Sequence, residues 1–274
     1  MNFKSFFIRA IVALIFGPLV LFLTYQGGYF LLTLVLAVTT ISYWEFKRLV
    51  SLKGAYAQFV TGELFIVAVV VALFVNNAII LPLAIGAIIL VLFIELYRKK
   101  GSPLLNSAAT LFGALYFSLL FGSFLLIREM PRTLDIEYVE AGQWLIMLII
   151  VTWVCDTAAY IFGSYFGRHK LMLQVSPNKS VEGTIAGFLF AILAAYACFL
   201  WFIDHLSSLD CIAIGAIAGS FGQYGDLFES MMKRDADVKD TSNLLPGHGG
   251  IMDRFDSLMI SAPLMYLYLI IVVF

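Results

Sequence analysis

Asp226, Glu229, Ser230 and Lys233 are spaced i, i+3, i+4 and i+7, so on a helix they share one face. Farther on, MDRFDS places Asp253 and Asp256 three residues apart, again on one helical face. Three or four carboxylates (Asp226, Asp253, Asp256, with Glu229 as a further donor) can thus converge from two helix ends. Hard oxygen donors, with few His or Cys competitors, suit Mg2+ better than Zn2+, and leave room for a second cation. Lys233, Arg234, Lys239 and Arg254 surround these acids. Carboxylates that hold Mg2+ inside a ring of cations meet the needs of phosphate chemistry, in which charge on phosphate oxygens must be neutralised. PGHGG, residues 246–250, adds a turn in which Gly249 and Gly250 let backbone N–H groups approach an anion. His248 is placed to donate to a phosphate or to assist proton transfer. The plainer reading, a solvated loop whose charges merely anchor helices, does not account for the shared register or for acids at membrane depth.

A second polar stretch runs from Trp153 to Gly187. Asp156, Tyr160, Gly163 and Gly167 follow i, i+4, i+7 and i+11, a stripe of polar and small residues that permits close helix packing. An acid inside an apolar span is a functional candidate by default, although Asp156 also suits a structural hydrogen bond. SPNKSVEG, residues 176–183, reads as an extended turn followed by a helix start. Ser176 is expected to cap or turn, and Lys179 can reach an anion. Ser180, Val181, Glu182 and Gly183 do not form a standard capping box. Glu63 stands isolated, whereas Glu95 lies beside Arg98, Lys99 and Lys100 and is expected to pair there. Cys155, Cys198 and Cys211 show no CxxC spacing and read as packed small residues.

The elements that must position these groups are membrane helices. The chain is 62% hydrophobic and 13% charged, against about 25% charged in soluble domains. Apolar runs long enough to cross a bilayer recur throughout. The expected fold is all-α and polytopic, with about nine spans near 6–25, 28–46, 56–75, 77–97, 104–127, 144–166, 182–203, 209–230 and 255–274. The first run follows Lys4 and Arg9 like a signal peptide, but without a clear cleavage site it reads as a retained helix. QGG near 26–28 and NN at 76–77 read as tight hairpins. With the N-terminus in the cytoplasm, fifteen of the seventeen Lys and Arg residues fall on the cytoplasmic side. Arg128 and Arg132 are the exceptions. Nine spans then put the C-terminus on the opposite face. Residues 1–140 read as five simple spans; residues 141–274 read as four spans carrying two long cytoplasmic loops and the chemistry.

Several classes fall away. There is no Walker A sequence, HExxH or serine nucleophile elbow. The acid pattern of CDP-alcohol phosphotransferases is missing, and no basic surplus suggests nucleic acid. A transporter would spread its acids through the membrane depth, often on inverted repeats; these gather at one face. SMMKRDADVKDTSNLLPGHGGIMDRFD, residues 230–256, closely resembles the signature of the phosphatidate cytidylyltransferase (CDP-diacylglycerol synthase) family: S-x-x-K-R, K-D, P-x-H-G-G and D-R-x-D. SPNKSVEG and CDTAAYIFG also look like family sequence. The resemblance is specific in the C-terminal half.

It implies that CTP and phosphatidate give CDP-diacylglycerol and pyrophosphate, with Mg2+, in a multi-pass protein of the plasma (inner) membrane whose site faces the cytoplasm. It implies Asp226, Asp253, Asp256, Lys233, Arg234 and His248 as the reaction centre. Ser176, Lys179, Ser180, Glu182, Lys239, Asp240, Gly249, Gly250 and Arg254 would bind substrate, with Asp240 orienting Lys239. CTP, phosphatidate and membrane lipid are the implied partners, and a homodimer is compatible with the resemblance. The alternative is a related enzyme acting on another lipid, such as a CDP-archaeol synthase or a polyprenol kinase.

Overall fold

The computed structural model of the 274-residue chain describes residues 3–75, 79–245 and 249–274. In order, α1 (Phe3–Gln26), α2 (Gly28–Leu52), α3 (Phe59–Phe74), α4 (Ile80–Glu95) and α5 (Pro103–Arg128) lead to α6 (Tyr138–Phe166). A hairpin follows, β1 (Lys170–Met172) and β2 (Ser176–Ser180), then α7 (Val181–Phe202), α8 (Ser208–Ile217), α9 (Gln223–Asp235) and α10 (Met252–Tyr268). The all-α polytopic expectation holds at this level. Among the described residues, five helices are long and apolar enough to cross a membrane: α2, α5, α6, α7, and α10 with its extension to Val273. Shorter apolar helical stretches cover Leu14–Gln26, Phe59–Phe74 and Ile80–Glu95.

The hairpin is the exception to an all-α chain. Its strands are antiparallel, with Lys170 opposite Ser180 and Met172 opposite Ser176. Ser176 sits in β2 and does not cap a helix. The cap of α7 is Ser180, whose Oγ accepts from Gly183 N at 3.2 Å. With glycine at the third helical position no reciprocal capping box can form, as the sequence implies.

One apolar cluster runs from Val20 to Leu269, centred on large side chains including Phe117, Phe121, Trp144 and Phe255. Phe255 of α10 meets Phe121 of α5 edge-on at 5.9 Å, so residues of both halves of the chain share this core. Small residues set the closest approaches. A Cβ on Gly183 would stand 2.9 Å from Gly163 Cα, and one on Gly187 3.0 Å from Cys155 O, which brings α6 and α7 together along the expected small-residue stripe. A π-helical turn, Ala218–Gly222, joins α8 to α9. All three cysteines are buried and unbonded.

The turn between α1 and α2 uses Gly27 and Gly28 at φ 67° and 51°, as QGG suggests. The hairpin expected at 76–77 lies outside the described residues. Arg128, 2% exposed, closes the first turn. Its Nη2 donates to Tyr25 O at 2.7 Å, Nε to Thr24 O at 3.3 Å and Nη1 to Tyr138 O at 2.6 Å. Two of these are carbonyls at the end of α1, which otherwise lack a helical partner. Arg128→Met should therefore cost about 3 kcal/mol of stability, read as an earlier unfolding midpoint in detergent, while folded protein keeps its turnover. A midpoint equal to that of the parent would show that the capping contributes nothing.

Candidate active site

α9 and α10 meet where the acids lie. Gly225 makes this possible: a Cβ there would stand 2.5 Å from Asp256 O, so the two backbones nearly touch. The register places Asp226 and Glu229 on α9 against Asp256 on α10, and Asp156 of α6 joins them. Asp156 feels the charges of both Asp256 and Asp226, while Glu229 feels that of Asp256. Four carboxyl groups from three helices therefore repel one another, with Glu229 buried, Asp226 and Asp256 half-buried and Asp156 exposed. Asp156, whose role the sequence left open between function and structure, belongs to this group.

Lysines answer them. Lys179 Nζ, from β2, sits 2.6 Å from Asp226 Oδ2, and Ser230 Oγ donates to Asp226 Oδ1 at 3.3 Å. Lys233 Nζ lies 2.6 Å from Asp253 Oδ1 and 3.4 Å from Glu229 Oε1. Burial opposes the charge on Lys233, which stands just beyond the eighth apolar run, but the Glu229 and Asp253 carboxylates outweigh it and raise its pKa above the ordinary lysine value.

The other oxygen of Asp253 is engaged by the loop. Oδ2 accepts from Gly250 N at 2.7 Å, Thr241 Oγ1 at 2.9 Å and Thr241 N at 3.1 Å. Gly249 pairs with Leu245 and sits at φ 82°, where a Cβ would meet Asp253 Oδ2 at 2.7 Å. Glycine is required there on both counts.

Among the described residues no three His, Cys, Asp or Glu side chains are drawn together as a ready ligand set. Ammonium groups stand beside the carboxylates instead. The donors nevertheless fit a hard divalent cation. Both Glu229 oxygens are buried without a hydrogen-bond partner, a state that cation binding would relieve. Five carboxyl groups, Asp156, Asp226, Glu229, Asp253 and Asp256, face three cationic side chains, Lys179, Lys233 and Arg254, and a divalent cation would favour the ionised form of the acids.

The remaining expected residues lie around this centre. Arg234 is exposed and braces the hairpin, its Nε donating to Val175 O at 3.3 Å and Nη1 to Val238 O at 2.8 Å. Glu182 holds the loop after α6: its carboxylate accepts from Arg168 N at 3.1 Å and meets His169 Nδ1 at 2.6 Å. Lys239, Asp240 and Arg254 are exposed and make no ion pair among the described residues. His248 lies outside the described residues.

Residues 7–272 match the sequence model of the cytidylyltransferase family. The chain belongs to this family. It is similar to the phosphatidate cytidylyltransferase of Staphylococcus aureus (strain COL), 32% identical over 96% of this chain and 97% of the relative. It is also similar to that of Staphylococcus epidermidis (strain ATCC 12228 / FDA PCI 1200), 41% identical over 48% of this chain and 50% of the relative. The resemblance read from residues 230–256 is borne out across nearly the whole chain. That the two halves pack into one core agrees with a family match that is not confined to the signature.

One cytidylyltransferase residue at this site escapes sequence reasoning. Glu45 of α2 is fully buried and accepts hydrogen bonds from Ser242 Oγ at 2.5 Å, Met252 N at 2.8 Å and Ile251 N at 3.0 Å, and at 3.1 Å it shares the Thr241 hydroxyl proton with the nearer Asp253 Oδ2. The available signal was an acid in an apolar run, the argument that singled out Glu63 and Glu95. Lys47 and Arg48 follow two and three residues later, so nothing local distinguishes Glu45 from an interfacial charge cluster. Glu95 does pair with Arg98, at 3.1 Å, and also accepts from Gln58 and Asn106. Glu63 accepts from Thr40.

Proposed function

We propose that this chain transfers CMP from CTP to phosphatidate, giving CDP-diacylglycerol and pyrophosphate. The family match over residues 7–272 and the activity named for the Staphylococcus relatives support the reading. The observation that carries it is the Lys179–Asp226 pair, which joins the SPNKSVEG segment to α9, the helix on which the 230–256 signature begins, beside a cluster of acids. Nothing in the chemistry calls for nucleic acid.

A phosphatidate phosphate oxygen attacks the α-phosphorus of CTP in line; the bond between that phosphorus and the bridging oxygen breaks, and pyrophosphate leaves with the electron pair. A phosphate monoester is already nucleophilic at neutral pH, so positioning and charge neutralisation dominate. Bound Mg2+ would neutralise charge across the phosphates. Asp226, Asp256 and Glu229 would hold it, and Asp253 joins them through Oδ1 if Lys233 leaves it for a phosphate; a second cation fits the same acids. Lys179, Lys233, Arg234, Lys239 and Arg254 bind phosphate oxygens. Gly249, Gly250 and His248 shape the triphosphate pocket. Ser176, Ser180 and Glu182 keep the hairpin side of the pocket in place.

In this reading nine spans place the N-terminus and the site on the cytoplasmic face of the plasma membrane and the C-terminus outside, which the skewed distribution of Lys and Arg supports. Phosphatidate enters from the bilayer, CTP from the cytoplasm. Residues 141–274 carry the chemistry, residues 1–140 buttress it, and two copies of the chain form a homodimer. The decisive assay supplies labelled CTP, Mg2+ and a panel of phosphorylated and unphosphorylated lipids to purified protein. Label should appear in phosphatidate as CDP-diacylglycerol with release of pyrophosphate. Transfer to a different lipid, or none to phosphatidate, would overturn the reading.

A further inference from the structure

We infer that Glu45 is a positioning residue for the nucleotide side of the site, an inference that rests on the CTP reading above. α10 begins at Met252 without any side-chain cap from its own flank. Its first amides need acceptors, and Glu45 supplies them from another helix. One carboxylate oxygen, Oε1, takes Ile251 N and Ser242 Oγ; the other, Oε2, takes Met252 N and Thr241 Oγ1. Thr241 Oγ1 also faces Asp253 Oδ2, which accepts Gly250 N. Glu45 and Asp253 thereby clamp Thr241 and Ser242 at one end of the loop and Gly250, Ile251 and Met252 at the other. Gly250 passes between them: a Cβ there would overlap both Thr241 Oγ1 and Glu45 Oε1.

The clamp has a direct consequence for the chemistry. Asp253 Oδ1 holds Lys233, and the direction of Asp253 is set by the same loop that Glu45 closes. Glu45 touches neither the cation group nor any exposed surface, yet it fixes the loop whose glycines and cations meet the triphosphate. A buried carboxylate that takes two backbone amides, the Ser242 hydroxyl and a share of the Thr241 proton, with no solvent beside it, has one stable placement, so it holds this geometry before nucleotide arrives.

Glu45→Gln tests this sharply. Whichever way the amide is turned, its NH2 replaces one oxygen. The Ser242 or Thr241 hydroxyl can rotate to accept, but the Ile251 or Met252 amide cannot. One of those two backbone N–H groups must lose its acceptor, so its hydrogen exchange accelerates in the full-length protein in detergent. Misplacement of the loop should lower kcat/KM for CTP by about a hundredfold, with the KM for phosphatidate unchanged within about twofold. Ser242→Ala removes one of the donors held by Glu45 alone and should give the same pattern at about fivefold. Glu95→Gln is the control: Glu95 is a buried, hydrogen-bonded carboxylate at the α4–α5 end, and its change should leave both KM values alone.

CTP kinetics of Glu45→Gln equal to those of the parent would overturn the inference. So would an equal rise in both KM values shared with Glu95→Gln, which signals general loosening. If Glu45→Gln does not fold, Ser242→Ala decides, and an unchanged kcat/KM for CTP in it overturns the proposal. A parent that makes no CDP-diacylglycerol would overturn the substrate reading instead. Exchange at Ile251 and Met252 needs no substrate and still decides the clamp, because unaltered exchange in Glu45→Gln overturns it.

Discussion

Asp226→Asn and Asp256→Asn, each in folded and purified protein, are expected to reduce CMP transfer by about a thousandfold. Both changes keep the shape of the side chain and delete one negative charge. Asp256 lies where α9 and α10 come closest, and its charge is felt by Asp156 and Glu229. Asn cannot replace that charge toward a divalent cation or toward the lysines that steer phosphates. The effect on folding should be small, because the cluster loses self-repulsion as it loses charge. Asp226→Asn frees Lys179 from its pair, so it should also weaken CTP or phosphatidate binding, whereas Asp256→Asn should act mainly on kcat and on the Mg2+ concentration for half-maximal rate. Chelation of divalent cations should silence the parent enzyme, and added Mg2+ should restore it. Turnover within tenfold of the parent in both variants would remove the acids from the reaction centre.

How much of this was legible beforehand depends on the range of each signal. Register within a helix is local, so the shared face of Asp226, Glu229 and Lys233 could be read directly, as could the pair at Asp253 and Asp256. Apolar length is also local, and it gave the polytopic helical class. The Gly163 and Gly167 stripe pointed to a close helix approach, while its partner, α7, is set by the tertiary fold. Contacts that depend on tertiary placement were not accessible. Nothing local tells Lys179 that its partner is Asp226, or brings Glu45 to the start of α10 about two hundred residues later. Asp253 was assigned to metal by its residue type; in the structure its oxygens serve Lys233 and the loop, a competition that only the folded loop reveals. The hairpin was hidden for another reason. SPNKS contains a proline and strongly polar residues, so its strand character comes from pairing with Lys170–Met172 and not from intrinsic propensity. The cap shifted from Ser176 to Ser180 once those five residues were taken up by β2.

Lys233→Met is expected to destabilise the protein by about 3–5 kcal/mol and to abolish turnover, and the two effects can be separated. Lys233 Nζ is the cation for Asp253 Oδ1 and stands beside Glu229, whose oxygens have no hydrogen-bond partner. Methionine fills the volume but leaves two buried carboxylates facing each other. The instability therefore comes from uncompensated charge and not from a cavity. Adding Asp253→Asn to Lys233→Met should recover much of the loss. The Asn carbonyl can still accept from Gly250 N and Thr241, while its NH2 occupies the side that Lys233 has left. A coupling energy of about 2 kcal/mol in the double-mutant cycle, measured by unfolding in detergent, is the expected result. The double variant should remain inactive, since it has lost both the phosphate-binding cation and a carboxylate. Additive stabilities would show that Lys233 does not neutralise Asp253. Recovered turnover in the double variant would show that this ion pair is scaffolding alone, and that the phosphate-binding cation must be sought at Lys179, Lys239 or Arg254.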